Sequence, residues 1–308
     1  MKRISSNSNG EWAALHSHLR RPDSLRQRAI LIVVADIGNT RIHIAAFEKS
    51  RMIEDWYLLT PRETASENFE LELTEFMKSH QTLFAKPHFE GWILCSVVPW
   101  LTPIFGEMVR NLIGVVPTVL IRSSPLPISL ITGESPTIGI DRLIVAAAAY
   151  DLVRSSVITV DIGTATTIDA VTDEGLFLGG IILPGPKLWL DSLHFGTANL
   201  PKTEIEKKNS VIETSTTGCI QAGLYNGYRH LLDGLVRQIR SELAQRSQHD
   251  SSIYLTGGSA KHWCENFPNW CFHPDLLLSG LARSKVWSKE STKVGDCRRH
   301  DNTPKIIG

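Results

Sequence analysis

Two stretches of the chain carry the same pattern of apolar and polar positions. The first, ILIVVADIGNTRIHIAAF, begins at Ile30, and the second, SVITVDIGTATTIDAVTD, begins at Ser156. Aligning Asp36 with Asp161 superposes a β-branched run, then Asp-Ile-Gly, then small residues, then a second alternating run. A β-branched run that stops at glycine and resumes with period two predicts strand, tight turn, strand. The interval between the copies is too long for a solenoid repeat. The pattern therefore predicts two similar domains in tandem.

Between and beyond the copies, the apolar period predicts helices over Glu67–His80, Thr102–Ile113, Asp141–Val153, Cys219–Leu243 and Leu276–Trp287. Short β-branched or apolar runs predict strands over Gly91–Val98, Pro117–Ile121, Leu176–Leu183 and Ser252–Leu255, with a turn at Pro184-Gly185-Pro186. The alanine run Ala146–Ala149 implies tight helix packing. Hairpins followed by helix–strand alternation give an α/β fold class. Residues 1–29 are polar and aperiodic and read as a flexible N-terminal extension. The two domains are expected over 30–150 and 151–288, with 289–308 as a disordered tail.

Composition narrows the function. Thirty-two basic and 32 acidic residues cancel, so no global field draws the chain to nucleic acid or an anionic membrane. No apolar run approaches the roughly 18 residues of a membrane span. Five sparse cysteines (Cys95, Cys219, Cys264, Cys271, Cys297) suggest reduced thiols and a cytoplasmic protein.

Three motifs carry candidate chemistry. In DIGNT, Asp36–Thr40, the glycine lets backbone N–H groups approach an anion, and Asn39 and Thr40 add side-chain donors. A carboxylate so near a phosphate makes sense with Mg²⁺ or its waters between them. As a single copy, Asp-x-Gly reads more readily as an ordinary hairpin turn. DIGTATTID, Asp161–Asp169, repeats the logic with threonine hydroxyls, and two facing turns would hold one polyphosphate from both sides. In YLTGGSA, Tyr254–Ala260, Gly257 and Gly258 would let a flat ligand lie on the backbone, or simply turn a strand into a helix. The P-loop pattern and G-x-G-x-x-G after a strand are both absent. His262, Cys264, Cys271 and His273 form a rival zinc constellation, but the spacing is wrong for common zinc modules and the intervening aromatics favour core packing.

Two phosphate-type hairpins and a late Gly-Gly turn resemble the superfamily of actin, heat-shock chaperone ATPases and sugar kinases. Within it, DIGNTRIHIAAF, GIDRLIVAAAAY, DIGTATTIDAV, GGIILPG and TANLP resemble type III pantothenate kinases, from about Leu31 to about Ala282. The resemblance implies two tandem ribonuclease H-like (actin-like) domains with mixed sheets flanked by helices and a cleft between them. It implies phosphorylation of pantothenate by ATP, the first step of coenzyme A synthesis. By match, Asp36, Ile37, Gly38, Asn39, Thr40, Arg41, Ile42 and His43 form an ATP segment, joined by Thr164, Gly257 and Gly258. Gly139, Ile140, Asp141 and Arg142 match the pantothenate-binding stretch, with Asp141 as proton acceptor, and Thr216 matches a substrate-contacting threonine. Asp161 matches a ligand of K⁺ or NH₄⁺, and Asp36 would approach Mg²⁺, directly or through water. The resemblance further implies a homodimer with the acceptor pocket at the subunit interface. Two departures stand out: Ser215-Thr216 replaces the usual Asn-Thr, and TGESPTIGIDR has no aromatic residue before the GIDR stretch. A non-catalytic relative acting as a transcriptional accessory factor, and a kinase of another small hydroxy acid, remain alternatives.

Independently of the resemblance, Asp141 is expected at a helix start, where free N–H groups keep a carboxylate ionised.

Overall fold

The computed structural model describes residues 30–63, 66–131 and 138–298. The expected N-terminal extension, the end of the expected tail and most of the segment before GIDR lie outside the described residues. The chain runs β1 (Leu31–Ile37), β2 (Arg41–Glu48), β3 (Arg51–Leu59), α1 (Ser66–Ser79), α2 (Gln81–Phe84), β4 (Phe89–Ser96), α3 (Leu101–Ile113), β5 (Thr118–Val119) and β6 (Ser129–Leu130). It continues α4 (Ile140–Val153), β7 (Val157–Ile162), β8 (Ala165–Val171), β9 (Leu176–Pro184), α5 (Pro186–Phe195), α6 (Thr216–Leu243), β10 (Ser252–Thr256), β11 (Cys271–Phe272) and α7 (Leu276–Arg298).

The repeat read from the sequence is a repeat of topology. One sheet has the order β3-β2-β1-β4-β5, and the other contains β9-β8-β7-β10-β11, extended by β6 beside β9. In each, a three-strand antiparallel meander joins two parallel strands at its first member. The two halves thus repeat one mixed-sheet arrangement. The parallel strands require crossovers, which α1–α3 and α6 supply.

Alternation along the strands decides which helices cover which face. Val33, Ala35, Ile42 and Ile44 point to the outer side of the first sheet and bury Phe69, Leu73, Phe105 and Val109 of α1 and α3. Ile158, Val160, Ile168 and Ala170 do the same on the second sheet against Leu224, Tyr228, Leu232 and Val236 of α6. The inner faces are covered by α4 and α7. Val157 and Val171 pack with α4, whereas Ile32, Val34 and Ala45 pack with Leu278, Leu281 and Ala282 of α7. The two helices therefore exchange: each lies mainly on the sheet of the other half. They also touch each other closely, since a Cβ on Gly280 would stand 2.9 Å from Ile144 and 3.0 Å from Ala148. Ala146–Ala149 are all buried, so the alanine run is tight packing as expected.

Several boundaries differ from the sequence expectation. The division expected between 150 and 151 falls inside α4, because that helix packs forward onto the second sheet. The helix expected to stop at Trp287 continues to Arg298, so residues 289–298 are helical rather than tail. After the expected Pro-Gly-Pro turn, Pro186 occupies the first turn of α5, where its missing N–H costs nothing. The four His and Cys residues weighed as a zinc site flank a packed aromatic group. Trp263 is fully buried and donates to Tyr225 O at 3.1 Å, and Phe267 stacks on Trp270 at 3.9 Å.

Candidate active site

The cleft lies where the glycine turns at the strand ends of the two sheets come together. On the first sheet, Asp36 pairs across the strands with Cys95 on one side and His43 on the other, and His43 pairs with Tyr57. On the second, Asp161 stands between Thr256 and Thr167. The two aspartates thus occupy equivalent places in the two halves. Each hairpin closes on its glycine: Gly38 N donates to Arg41 O at 3.1 Å, and Gly163 N donates to Ala165 O at 2.9 Å.

The hairpins touch. Thr40 Oγ1 and Thr164 Oγ1 lie 3.1 Å apart across the cleft. The Gly-Gly turn joins them from the third side. Gly257 has φ +95°, and a Cβ there would stand 2.3 Å from Asp161 Oδ1. A Cβ on Gly258 would stand 1.9 Å from Arg41 Nη2, so one end of the first hairpin's guanidinium abuts this turn. Arg41 also sits 5.1 Å from the centre of the Tyr57 ring, which stacks on His43 at 4.0 Å. His43 is pinned in turn by Asp55, Nε2 to Oδ2 at 2.9 Å.

Asp141 comes from the start of α4. Gly139 is the residue that caps this helix, and Asp141 lies in its first turn. The expected place at the helix start holds: its carboxylate folds back and accepts from Arg142 N at 2.9 Å. Gly139 makes room, because a Cβ there would stand 2.4 Å from Asp141 Oδ1. Arg142 turns the other way and grips Asp169 of β8, Nε to Oδ2 at 3.1 Å and Nη2 to Oδ1 at 2.5 Å.

Electrostatics mark the cleft as a place that wants cations. Burial, then the charges of Asp141 and Asp161, push Asp36 up to about 7, with Arg41 pulling the other way. Burial, then Asp141 and Asp169, push Asp161 up to about 7, again opposed by Arg41. Burial and the neighbouring carboxylates also raise the Cys95 thiol, which makes it a poor nucleophile. Among the described residues no group of three or more His, Cys, Asp or Glu side chains is arranged to hold a metal by itself. One carboxylate from each sheet fits a hard cation that keeps its waters and takes its remaining ligands from phosphates.

Thr216 comes from a different helix. It opens α6 and is exposed, behind Ser215, whose side chain accepts from Gly218 N at 3.0 Å. No described contact joins it to Asp141, Arg142 or the hairpins. Sequence reading missed the Arg142–Asp169 pair, the Tyr57–His43 stack and the approach of Gly185 to the second hairpin. Gly185 N donates to Thr164 O at 2.9 Å, and a Cβ there would stand 2.2 Å from Gly163 O. The one available signal was the second aspartate of DIGTATTID, whose partner no spacing rule supplies.

Residues 32–238 match the family model of type III pantothenate kinases. A type III pantothenate kinase of Dehalococcoides mccartyi is 32% identical over 251 residues, covering 81% of this chain and 95% of the relative. The chain belongs to the type III pantothenate kinase family. The corresponding protein of a second strain of that species is also 32% identical, over 81% of this chain and 93% of its own length. Among solved structures, a Campylobacter jejuni protein described as a Baf family transcriptional activator superposes with a TM-score of 0.52. It covers 85% of this chain and 99% of its own, and at 19% identity the likeness speaks for the fold. No helix among the described residues is long and apolar enough to cross a membrane.

Proposed function

We propose that this member of the type III pantothenate kinase family transfers the γ-phosphoryl group of ATP to the primary hydroxyl of pantothenate, opening coenzyme A synthesis. The observation that carries the reading is convergence: three glycine turns and the Asp141 helix start meet over one cleft. The hairpins Asp36–His43 and Asp161–Thr164 hold the phosphates, and the Gly257–Gly258 turn takes the adenosine side. Arg41, whose charge counters both Asp36 and Asp161 and whose guanidinium lies at Gly258, would meet the phosphates.

Gly139, Ile140, Asp141 and Arg142 receive the acceptor. The hydroxyl oxygen bonds to the γ-phosphorus, its proton passes to the Asp141 carboxylate, and ADP leaves. A loose transition state asks for positioning more than for a strong base, so an ordinary carboxylate suffices. Mg²⁺ near Asp36 and K⁺ or NH₄⁺ near Asp161 would supply positive charge to the phosphates as charge shifts between them.

The exposure of Thr216 is compatible with a homodimer in which the acceptor pocket is completed across an interface. Phe195 at 78% exposure, Val211 at 69% and Ile212 at 87% are apolar side chains that such an interface could bury. A cytoplasmic enzyme fits the neutral, cysteine-poor composition. The test is turnover by purified protein with ATP, Mg²⁺ and K⁺ against a panel of hydroxylated acids. Pantothenate should be preferred. Phosphorylation of another acid with pantothenate ignored would reject the assignment of substrate.

A further inference from the structure

We propose that Asp169 is a positioning residue for the acceptor, acting through Arg142. The proposal rests on the reading of Arg142 as an acceptor-binding side chain. The guanidinium has five N–H donors in a fixed fork. Asp169 takes two of them side-on, through Nε and Nη2, with both of its own oxygens. Such a bidentate grip fixes the plane of the guanidinium and not merely its position. The remaining donors, including both on Nη1, are left for a ligand at the cleft.

The surroundings of the pair support a directing role. Asp169 is 1% exposed and projects from β8 toward α4, between Thr159 on β7 and Gly180 on β9. Gly180 carries no side chain that would crowd the fork, and the backbones run so close that a Cβ there would stand 1.8 Å from Ile168 O. Arg142 itself is 14% exposed at its side chain, so the ion pair lies inside and little of the guanidinium is left open. A buried ion pair of this kind is weak evidence for stability, since hydrophobic replacements often serve as well. It does keep a long side chain from sampling other rotamers. Arg142 follows directly after Asp141, whose carboxylate accepts from its backbone N–H. One fixed helix start therefore carries the proton acceptor and an oriented guanidinium as neighbours, and Asp169 sets the angle of the second.

The experiment is a matrix of initial rates over both substrates for Asp169→Asn, Arg142→Lys, Arg142→Gln and the double variant Arg142→Gln/Asp169→Asn. Misplacing a binding group by about 1 Å can cost about 10²-fold. Asp169→Asn should thus raise KM for pantothenate by about 10–10²-fold while KM for ATP stays within about twofold. In Arg142→Gln the further change at Asp169 should add little, because both act through one contact. Arg142→Lys keeps the charge over Asp169 and so keeps the fold, yet it loses the fork; it should show most of the same rise in KM. That variant carries the test if Asp169→Asn does not fold. Parent-like pantothenate KM in Arg142→Lys or in Asp169→Asn, with Arg142→Gln impaired, overturns the role of Asp169 alone. Parent-like KM in Arg142→Gln rejects the assignment of Arg142 and takes the proposal with it. Equal loss for both substrates in Asp169→Asn with a lowered melting point makes the pair merely structural.

Discussion

Replacing Asp141 by Asn separates chemistry from folding. Asn keeps the shape and an oxygen to accept from Arg142 N, now at 2.9 Å. What is lost is a negative charge in the first turn of α4, worth about 0.3–1 kcal/mol at a helix N-terminus. Against that, the charge of Asp141 raises both Asp36 and Asp161, so removing it relieves repulsion in the cleft. The two effects oppose, and the net change should stay within about 1 kcal/mol, a shift of roughly 2–4 °C in melting temperature for a chain of this class. Turnover should fall by about 10²–10⁴-fold, the usual contribution of a general base. Affinity for ATP by calorimetry should hold, since the proposed reading gives the phosphates to the hairpins and not to Asp141. A variant that binds ATP and turns over pantothenate at near-parent rate would refute the reasoning, leaving Asp141 with only a local bond. A variant that also fails to bind ATP would place the residue on the nucleotide side.

Three further outcomes follow from the same geometry. Asp36 and Asp161 carry folded-state values of about 7 against an ordinary 3.8, so the folded chain holds protons that the unfolded chain has released; cation-free protein should lose stability as pH rises from about 4 to about 7. Melting curves across that window should show a shallower loss in Asp161→Asn, and an identical slope would remove the cleft as its origin. Gly257→Ala meets both a left-handed φ and a 2.3 Å contact with Asp161 Oδ1, so chemical denaturation should report a loss of more than about 2 kcal/mol, together with loss of nucleotide binding. Gly234→Ala lies in the exposed interior of α6 with no atom within 4 Å of the new Cβ; it should gain about 0.5–1 kcal/mol, and a measured loss would contradict the helix packing described.

What the sequence disclosed was local pattern and its repetition. The hairpins at Gly38 and Gly163 were readable because a strand's period and a glycine's freedom are written within a few residues. The convergence of Asp36 with Asp161 was an expectation from repetition, and the Thr40–Thr164 contact gives it atoms. Strand β3 went unread: RMIEDWYLL has only a partial alternation, and the strand lies at the sheet edge with several exposed residues. Helix α5 went unread because Pro-Gly-Pro signals a turn while Pro186 also suits a helix start. The end of α7 was misjudged since its polar residues mimic a tail. The Arg142–Asp169 pair was invisible for a different reason. Its members lie on separate elements, and only the packing of α4 on the second sheet brings them together.

The exchange of α4 and α7 makes the two halves hostages to each other. A chain cut after Val153 would leave the first sheet without Leu278 and Leu281 on its inner face, while α4 would carry away the cover of Val157 and Val171. Asp151, buried on α4, pairs with Arg283 on α7 and with Arg154 just past the cut, so the cut would strand that carboxylate away from both cations. Neither fragment could shelter its sheet, yet each would hold the helix that the other lacks. The two pieces, mixed, should therefore find each other and rebuild the cleft, much as two hands clasp by each filling the other's palm.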